Sequence, residues 1–301
     1  MRPFYIVGPT AAGKSELAAA IAQQCNGEIV SADAFQVYAG LHLLTAKPEA
    51  VTLRMVPHHL IGSVSLGEEM NVGRFRPAAL TAIEEIEKRG KAAFVVGGSG
   101  LYVQALTHGL SRLPPADPQL REELNALSTT ELVSRLEILD GATAQTIDRH
   151  NRHRVLRAVE ICLLSGQPAS ALRRRGAPPA PPAGVLVWRE RAELFQRIDA
   201  RVTQMFASGV VEEVREVPQL SATAAKTLGL HDIQELLAGR MAEAECIARI
   251  QQATRRYAKR QLTWFRRQSN FEPLNLSLHT SSEAIDWIAR KARLTFSAQQ
   301  R

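Results

Sequence analysis

Only three cysteines, Cys25, Cys162 and Cys246, occur in 301 residues, and none stands in C-x-x-C spacing. An odd number so widely scattered indicates neither a zinc site nor a disulfide framework. No apolar run approaches the ~20 residues of a membrane-spanning helix, so no membrane segment is expected. The N-terminus leads straight into an apolar segment and a glycine-rich loop, with no space for a secretory leader, and a cytoplasmic location is expected. Internal repeats are missing too, so the length is that of one large domain with an elaboration.

What is present begins at Gly8. Gly8-Pro9-Thr10-Ala11-Ala12-Gly13-Lys14-Ser15 satisfies the pattern G-x-x-x-x-G-K-[ST]. The apolar run Phe4-Tyr5-Ile6-Val7 precedes it as a candidate buried strand, and Leu17, Ala18, Ile21 and Ala22 follow at the spacing of one helix face. In such a loop the glycines let the backbone curl until successive N–H groups converge on an anion. The positive end of the following helix adds to the attraction. Lys14 offers a point charge to a phosphate, and the Ser15 hydroxyl can hold Mg²⁺. A phosphate or diphosphate is expected here.

Residues 28–33 read as a second strand ending in Asp33, and 92–96 as a third that runs into Gly97-Gly98-Ser99-Gly100. Parallel α/β sheets gather ligands at the carboxyl ends of their strands, which brings Asp33 toward the phosphate loop. There it can cap the next segment, act as a general base, or support a metal. Residues 78–88 have helical period through Leu80, Ile83 and Ile86. The 92–96 run ends in glycine, not in the acid that a hydrolytic phosphate-loop ATPase sets opposite its loop. The nearest substitute, 136–140, lies in a helical context. A nucleotide-hydrolysing motor is therefore not the expected class.

From Arg112 to Pro182 strands give way to breakers and helix patterns. Asp117 is placed to cap a helix beginning near Pro118, and helices are expected over 118–127, 130–139 and 152–164. A Pro/Ala-rich stretch, 177–183, closes the segment as a linker. Gly184–Trp188 resumes the sheet, with helices expected over 193–207 and 243–266 and again past Leu276. The expected fold class is α/β: a P-loop NTPase-like parallel sheet core flanked by helices, with an inserted all-helical domain. The boundaries that follow are 1–111 and 184–301 for the core and 112–183 for the insertion.

The net charge is +7, and its sources cluster. Arg149, Arg152, Arg154 and Arg157 form one group and Arg173, Arg174 and Arg175 another. The third joins Arg255, Arg256, Lys259, Arg260, Arg266 and Arg267 with Tyr257, Trp264 and Phe265. One such cluster is a solvated helix face; three beside a phosphate loop favour a nucleic acid. Arg154 and Arg157 share a helix face at i, i+3, and Arg197 and Arg201 share another at i, i+4.

Taken in order, these motifs resemble those of the bacterial tRNA dimethylallyltransferases. The carrying segments are 8–15, Ser31-Ala32-Asp33 with Gln36-Val37-Tyr38, Thr45-Ala46-Lys47-Pro48 and Pro57-His58-His59-Leu60-Ile61. Further along come 96–102, 154–160 and 254–266. The resemblance covers most of the chain. It implies that the loop from Gly8 through Pro9, Thr10, Ala11, Ala12, Gly13 and Lys14 to Ser15 holds the diphosphate of dimethylallyl diphosphate, joined by Arg201. It makes Asp33 the base at an adenine amine, with Thr10, Lys14 and Arg201 catalytic beside it, and Mg²⁺ on Ser15. It puts Asp33, Ala34, Phe35, Gln36 and Ser99 against the target nucleotide. Arg121, Arg154 and Arg157 fall at further tRNA contacts, so that the inserted helical domain grips the anticodon stem-loop. No membrane and no obligate protein partner are implied, and a monomer is expected.

The chain departs from the family pattern at Ala34, where serine is usual, and at Leu44, where glycine is usual. Gly62 stands in place of an acid, His150-Asn151 in place of Asn-Asp, and Leu230 in place of an aromatic. None of these removes a residue assigned to diphosphate or to base chemistry. Two other classes are compatible with parts of the sequence. A phosphate-loop small-molecule or nucleoside kinase would use ATP in the loop and Asp33 as base. A non-catalytic tRNA-binding paralogue would keep the loop as a relic.

Overall fold

The structure, a computed structural model, describes residues 2–173, 182–217, 219–268 and 270–299. Arg174, Arg175 and residues 177–181 of the expected linker lie outside them. The chain divides into two compact units, Met1–Thr107 with Ala180–Arg301, and His108–Pro179.

The first unit opens β1 (Phe4–Val7), α1 (Lys14–Gln24), β2 (Gly27–Ser31), α2 (Ala50–Met55), β3 (His58–His59), α3 (Val72–Lys88), β4 (Ala92–Gly97) and α4 (Gly100–His108). The second unit is helical: α5 (Pro118–Ala126), α6 (Thr129–Leu139), α7 (Gly141–Thr146), α8 (Arg152–Ser165) and α9 (Ala169–Leu172). The first unit then resumes with β5 (Gly184–Trp188), α10 (Arg191–Ala207), α11 (Val210–Arg215), α12 (Leu230–Leu237), α13 (Glu243–Gln268), β6 (Glu272–Asn275) and α14 (Ser281–Gln299). Among the described residues no helix is long and apolar enough to cross a membrane.

Six strands pair in the order β3-β2-β4-β1-β5-β6, every pair parallel, so the α/β class and parallel core stand as expected. A sheet covered on both faces needs apolar residues at every position, which is why β1 and β4 read as unbroken apolar runs. Phe4, Ile6, Ile29, Phe94 and Val187 pack on one face with Leu17, Ile21, Ile288 and Ala292 of α1 and α14. Tyr5, Val7, Val30, Val95 and Leu186 pack on the other with Phe75 of α3, Ile233 of α12, and Ile250 and Phe265 of α13. The register Val7↔Gly97, Ser31↔Val96 and Val7↔Leu186 puts the carboxyl ends of the four central strands side by side. The loops that carry the motifs therefore leave the sheet at one edge.

Several elements differ from expectation. Strands β3 and β6 carry no readable pattern: β3 has two residues, and β6 contains Pro273. A proline without an N–H is tolerated because β6 is the edge of the sheet. Helix α3 starts at Val72 rather than 78 and runs through Pro77. Its start is set by Asn71, whose side chain accepts from Gly73 N and Arg74 N. The helical unit holds α7 and α9 in addition to the three expected helices. Asp117 caps α5, accepting from Leu120 N at 2.8 Å. Asp140, the acid at the end of 136–140, caps α7 through Thr143 N and also accepts from Ser170 of α9. It is a structural acid, consistent with its helical setting.

Candidate active site

Gly13 makes the turn from loop to α1: it is the N-cap residue, with φ 93°, in the left-handed region that a side chain disfavours. Helix α1 begins at Lys14, so the first-turn N–H groups have no partner within the helix and face the loop's concave side. Lys14 Nζ donates to Pro9 O at 2.7 Å. Desolvation lowers its pKa to about 8, opposed by the charge of Asp33. Two arginines hold the loop by its carbonyls: Arg189 Nε donates to Ala12 O and Arg197 Nε to Ala11 O. These contacts fix the Ala11 and Ala12 carbonyls on arginine side chains, while within the loop the Thr10 N–H is taken by Gln261 and the Ala12 N–H by Pro9 O.

Arg201, one turn beyond Arg197, reaches the same loop and donates to Thr10 Oγ1 at 2.8 Å. Its Nε is buried and has no hydrogen-bond partner among the described residues. Burial pulls its pKa below the usual value for arginine, and Asp33 counteracts that. A buried guanidinium with a donor unmatched is costly in isolation. Such a group fits a site that an anion completes.

Asp33 lies two residues past the end of β2. Its Oδ1 accepts from Phe35 N at 2.9 Å and Gln36 N at 3.2 Å, so the capping role is real. Oδ2 takes no hydrogen bond among the described residues, and the carboxylate thus has one oxygen fixed and one available. Ala34 N donates to Ser99 Oγ at 2.9 Å, which ties the acid-bearing loop to the glycine-rich loop after β4. Gln36 Nε2 donates to Thr45 O and Ala46 O, anchoring the next motif. That loop is gripped from behind by Glu213, whose two oxygens accept from Leu43 N and Leu44 N, each at 2.9 Å. Leu44, the unusual residue there, is buried in the core next to Gly229.

These groups line one cavity of about 710 Å³. Thr10, Ala11, Gly13, Lys14, Ser15 and Arg201 form one part of its wall, Asp33 and Gln36 another, and Ile29, Ile61, Val96, Ala200 and Met205 supply apolar surface. Of the other expected site residues, Gly8, Pro9, Ala12, Ala34, Phe35 and Ser99 support this wall without lining it. Lys47 and His58 line it and were quoted only as parts of motifs. Gln261 lines it too and, although it lies within the 254–266 segment, has no role in the sequence reading. Its signal was present: Thr254, Ala258, Gln261 and Phe265 are the buried stripe of α13, and a glutamine in such a stripe needs partners. Glu213 left no signal, since its partners are backbone atoms far away in sequence, and the local i, i+4 pair of Arg189 with Glu193 does not reveal its reach to Ala12 O.

In the third basic cluster, Arg255 pairs with Asp199 and lies over Phe195, while Arg260 lies over Tyr257 and Arg266 over Trp188. Arg256, Lys259, Arg260, Arg266 and Arg267 form the exposed face of α13. The helical unit carries Arg121, Arg154 and Arg157. Arg121 Nε donates to the buried Glu160 at 2.8 Å, and Arg157 donates to Glu160 and to Pro114 O. Burial alone would raise the Glu160 carboxyl, but hydrogen bonds from Arg121 and Arg157 outweigh it and hold it below the usual range. Arg149 and Arg154 are the exposed arginines of the 149–157 group; Arg149 pairs with Glu137 and Arg152 donates to Asn125 O, whereas the Arg154 guanidinium is solvent-facing. The shared phosphate face expected of Arg154 and Arg157 is thus divided: one guanidinium is exposed and the other is engaged in the fold.

A parallel sheet with a phosphate loop, no hydrolytic acid on β4 and a strand-end acid facing the same cavity defines a P-loop-like enzyme of group transfer. The model of the IPP transferase family matches residues 36–268. A tRNA dimethylallyltransferase of Citrifermentans bemidjiense is 43% identical over 87% of this chain and 88% of its own length. The crystal structure of the full-length tRNA isopentenylpyrophosphate transferase of Bacillus halodurans superposes with a TM-score of 0.70 at 32% identity, covering 100% of this chain and 99% of that one. A eukaryotic dimethylallyltransferase captured acting on tRNA gives 0.77 at 25% identity, over 96% of this chain and 80% of the other. The chain belongs to the IPP transferase family.

Proposed function

We propose that the chain transfers a dimethylallyl group from dimethylallyl diphosphate to the N6 amine of an adenosine adjacent to the anticodon in tRNA, releasing diphosphate. The observation that carries this reading is a single cavity holding both an incomplete anion site, Lys14 with the unpartnered Nε of Arg201, and an acid with one oxygen available, Asp33. Diphosphate departs from an allylic carbon when its developing charge is neutralised. The first-turn N–H groups, Lys14 and Arg201 supply preorganised positive charge for that step. The N6 lone pair is conjugated with the purine ring, so the amine needs orientation and loss of a proton. The C1–O bond breaks, the N6–C1 bond forms, and the N6 proton passes to Asp33 Oδ2.

The donor set accommodates a divalent cation only sparsely. Among the described residues no three His, Cys, Asp or Glu side chains gather to hold one. Mg²⁺ suits such a site because it keeps waters and takes substrate phosphates as ligands. Ser15 would hold it, and when bound it neutralises charge on the diphosphate. The apolar wall of Ile29, Ile61, Val96 and Met205 excludes water from the prenyl group. The adenosine has to leave its stack to enter. Exposed arginines of α13, and Arg154 in the helical unit, would hold phosphates of the anticodon stem-loop. The reading includes action as a cytoplasmic monomer.

Incubation with labelled dimethylallyl diphosphate, ATP and unmodified tRNA tests this. Label on tRNA at N6 of adenosine is expected. Phosphoryl transfer from ATP to a small acceptor would replace the proposal by a kinase, and tRNA binding without turnover by a relic.

A further inference from the structure

Gln261 stands on α13 at 6% exposure, and both ends of its amide are used. Its Oε1 accepts the Thr10 N–H at 2.8 Å, and its Nε2 donates to Gly98 O at 2.9 Å. The two partners belong to different halves of the cavity. Thr10 is in the phosphate loop, and its hydroxyl receives Arg201. Gly98 precedes Ser99, whose Oγ receives the Ala34 N–H next to Asp33. A chain of hydrogen bonds therefore runs Arg201–Thr10–Gln261–Gly98, and through Ser99 to the loop of Asp33. Tyr257 lies one turn earlier on α13. The approach is close: a Cβ on Gly98 would lie 2.2 Å from Gln261 Nε2, so only glycine leaves room for the amide.

We infer that Gln261 is a positioning residue that sets the separation between the leaving-group site and the base. One planar amide accepting from one loop and donating to the other fixes that separation and, through its two unlike ends, its direction. The loops it joins come from neighbouring strands, β1 and β4, whose ladder ends at Val7↔Gly97. Past that point no strand pairing holds them in register. Transfer needs reacting atoms placed to within a fraction of an ångström, so looseness here lowers the chemical rate without removing any group that touches substrate. The same staple places α13, with its exposed basic face, directly against the phosphate loop. This inference rests on the transfer reaction proposed above.

Two variants of nearly the same size test it. Gln261→Leu loses both hydrogen bonds, and kcat is expected to fall about tenfold to a hundredfold. Inorganic diphosphate affinity by calorimetry and tRNA affinity should both stay within about threefold. Gln261→Glu keeps an acceptor and, when ionised, has no proton for Gly98 O. When protonated it presents an O–H donor and a carbonyl acceptor in the same places as the amide. The ratio of its kcat to that of the unaltered enzyme should therefore rise as pH falls, while the ratio for Gln261→Leu stays flat. Lys14, Asp33, Arg201 and Tyr257 face the same region in all three proteins, so Gln261→Leu, which adds no charge beside them, is the control for the background pH dependence. Gly98→Ala, which displaces the amide, should repeat the leucine result. Unchanged kcat in Gln261→Leu, or equal proportional losses of kcat and both affinities, would overturn the inference. So would a pH-independent ratio for Gln261→Glu. If the unaltered enzyme transfers no label, the functional reading fails first. The staple is then judged by hydrogen exchange at the Thr10 amide, whose protection must be lost in Gln261→Leu and kept in Gln261→Glu at low pH.

Discussion

The two units each contain a carboxylate with arginines around it, and they resolve their charges in opposite ways. In the helical unit, Glu160 is fully buried and saturated, with Arg121, Arg157 and the Asp117 N–H filling both oxygens. In the cavity of the other unit, Asp33 has one oxygen committed, and Arg201 is buried with Nε unmatched. Saturated charges hold a fold together, because every donor lost to solvent is recovered inside. Unsaturated ones are a standing cost that substrate can offset. The contrast separates the arginines of this basic chain more sharply than their clustering does.

The contrast is broken most severely at the cavity. Lys14→Ala and Arg201→Ala are each expected to lower kcat/KM for dimethylallyl diphosphate about 10²–10³-fold, while thermal melting stays nearly where it was. Unchanged turnover in both would remove the diphosphate from this loop. Asp33→Asn should slow single-turnover transfer by about two orders of magnitude with tRNA affinity nearly intact. A large loss of tRNA binding instead would take Asp33 out of the base role.

Glu160→Ala should do the reverse. Leaving Arg121 and Arg157 without their acceptor is expected to cost about 2–3 kcal/mol, moderated because both guanidiniums are partly exposed, with diphosphate binding unaffected. Denaturant unfolding followed from a probe in 108–173 measures it. Since the folded Glu160 carboxyl lies below its unfolded value, its contribution is present above the unfolded pKa and fades as pH drops through the folded one.

A smaller effect sharpens the comparison through pH. Desolvation puts Lys14 at about 8, so diphosphate affinity should weaken as pH rises through that value. Calorimetric titrations between pH 6.5 and about 9.5 would display the slope, and its persistence in Lys14→Ala would assign it elsewhere. The smallest change is expected from Arg154→Ala: weaker tRNA binding and a salt dependence reduced by about one counterion. An unaltered slope would place the RNA on other residues.

Some of this was legible along the chain and some was not. The phosphate loop, its flanking strand and helix, and the acid after β2 were readable because each is made within a few consecutive residues. A glycine at a positive φ, an apolar run and a helical period are local constraints. The edge strands β3 and β6 were not, since two residues or a proline-containing segment become a strand only when a neighbour offers its hydrogen bonds. Arg157 shared the pattern of Arg154, and nothing in spacing distinguishes a guanidinium paired with Glu160 from an unpaired, exposed one.

Residue order thus settled which chemistry the chain carries: an anion-binding loop, a strand-end acid and a surplus of arginine. Folding decided how far apart those parts stand and which charges remain available. Thr10 and Gln261 are 251 positions apart, and Thr10 and Arg201 are separated by 191. Contacts at such distances arise when separate elements pack on one sheet, and side-chain direction there follows from burial rather than from sequence spacing. The strand ladder brings the loops to one edge, and a buried glutamine from a distant helix spans the gap that the ladder leaves.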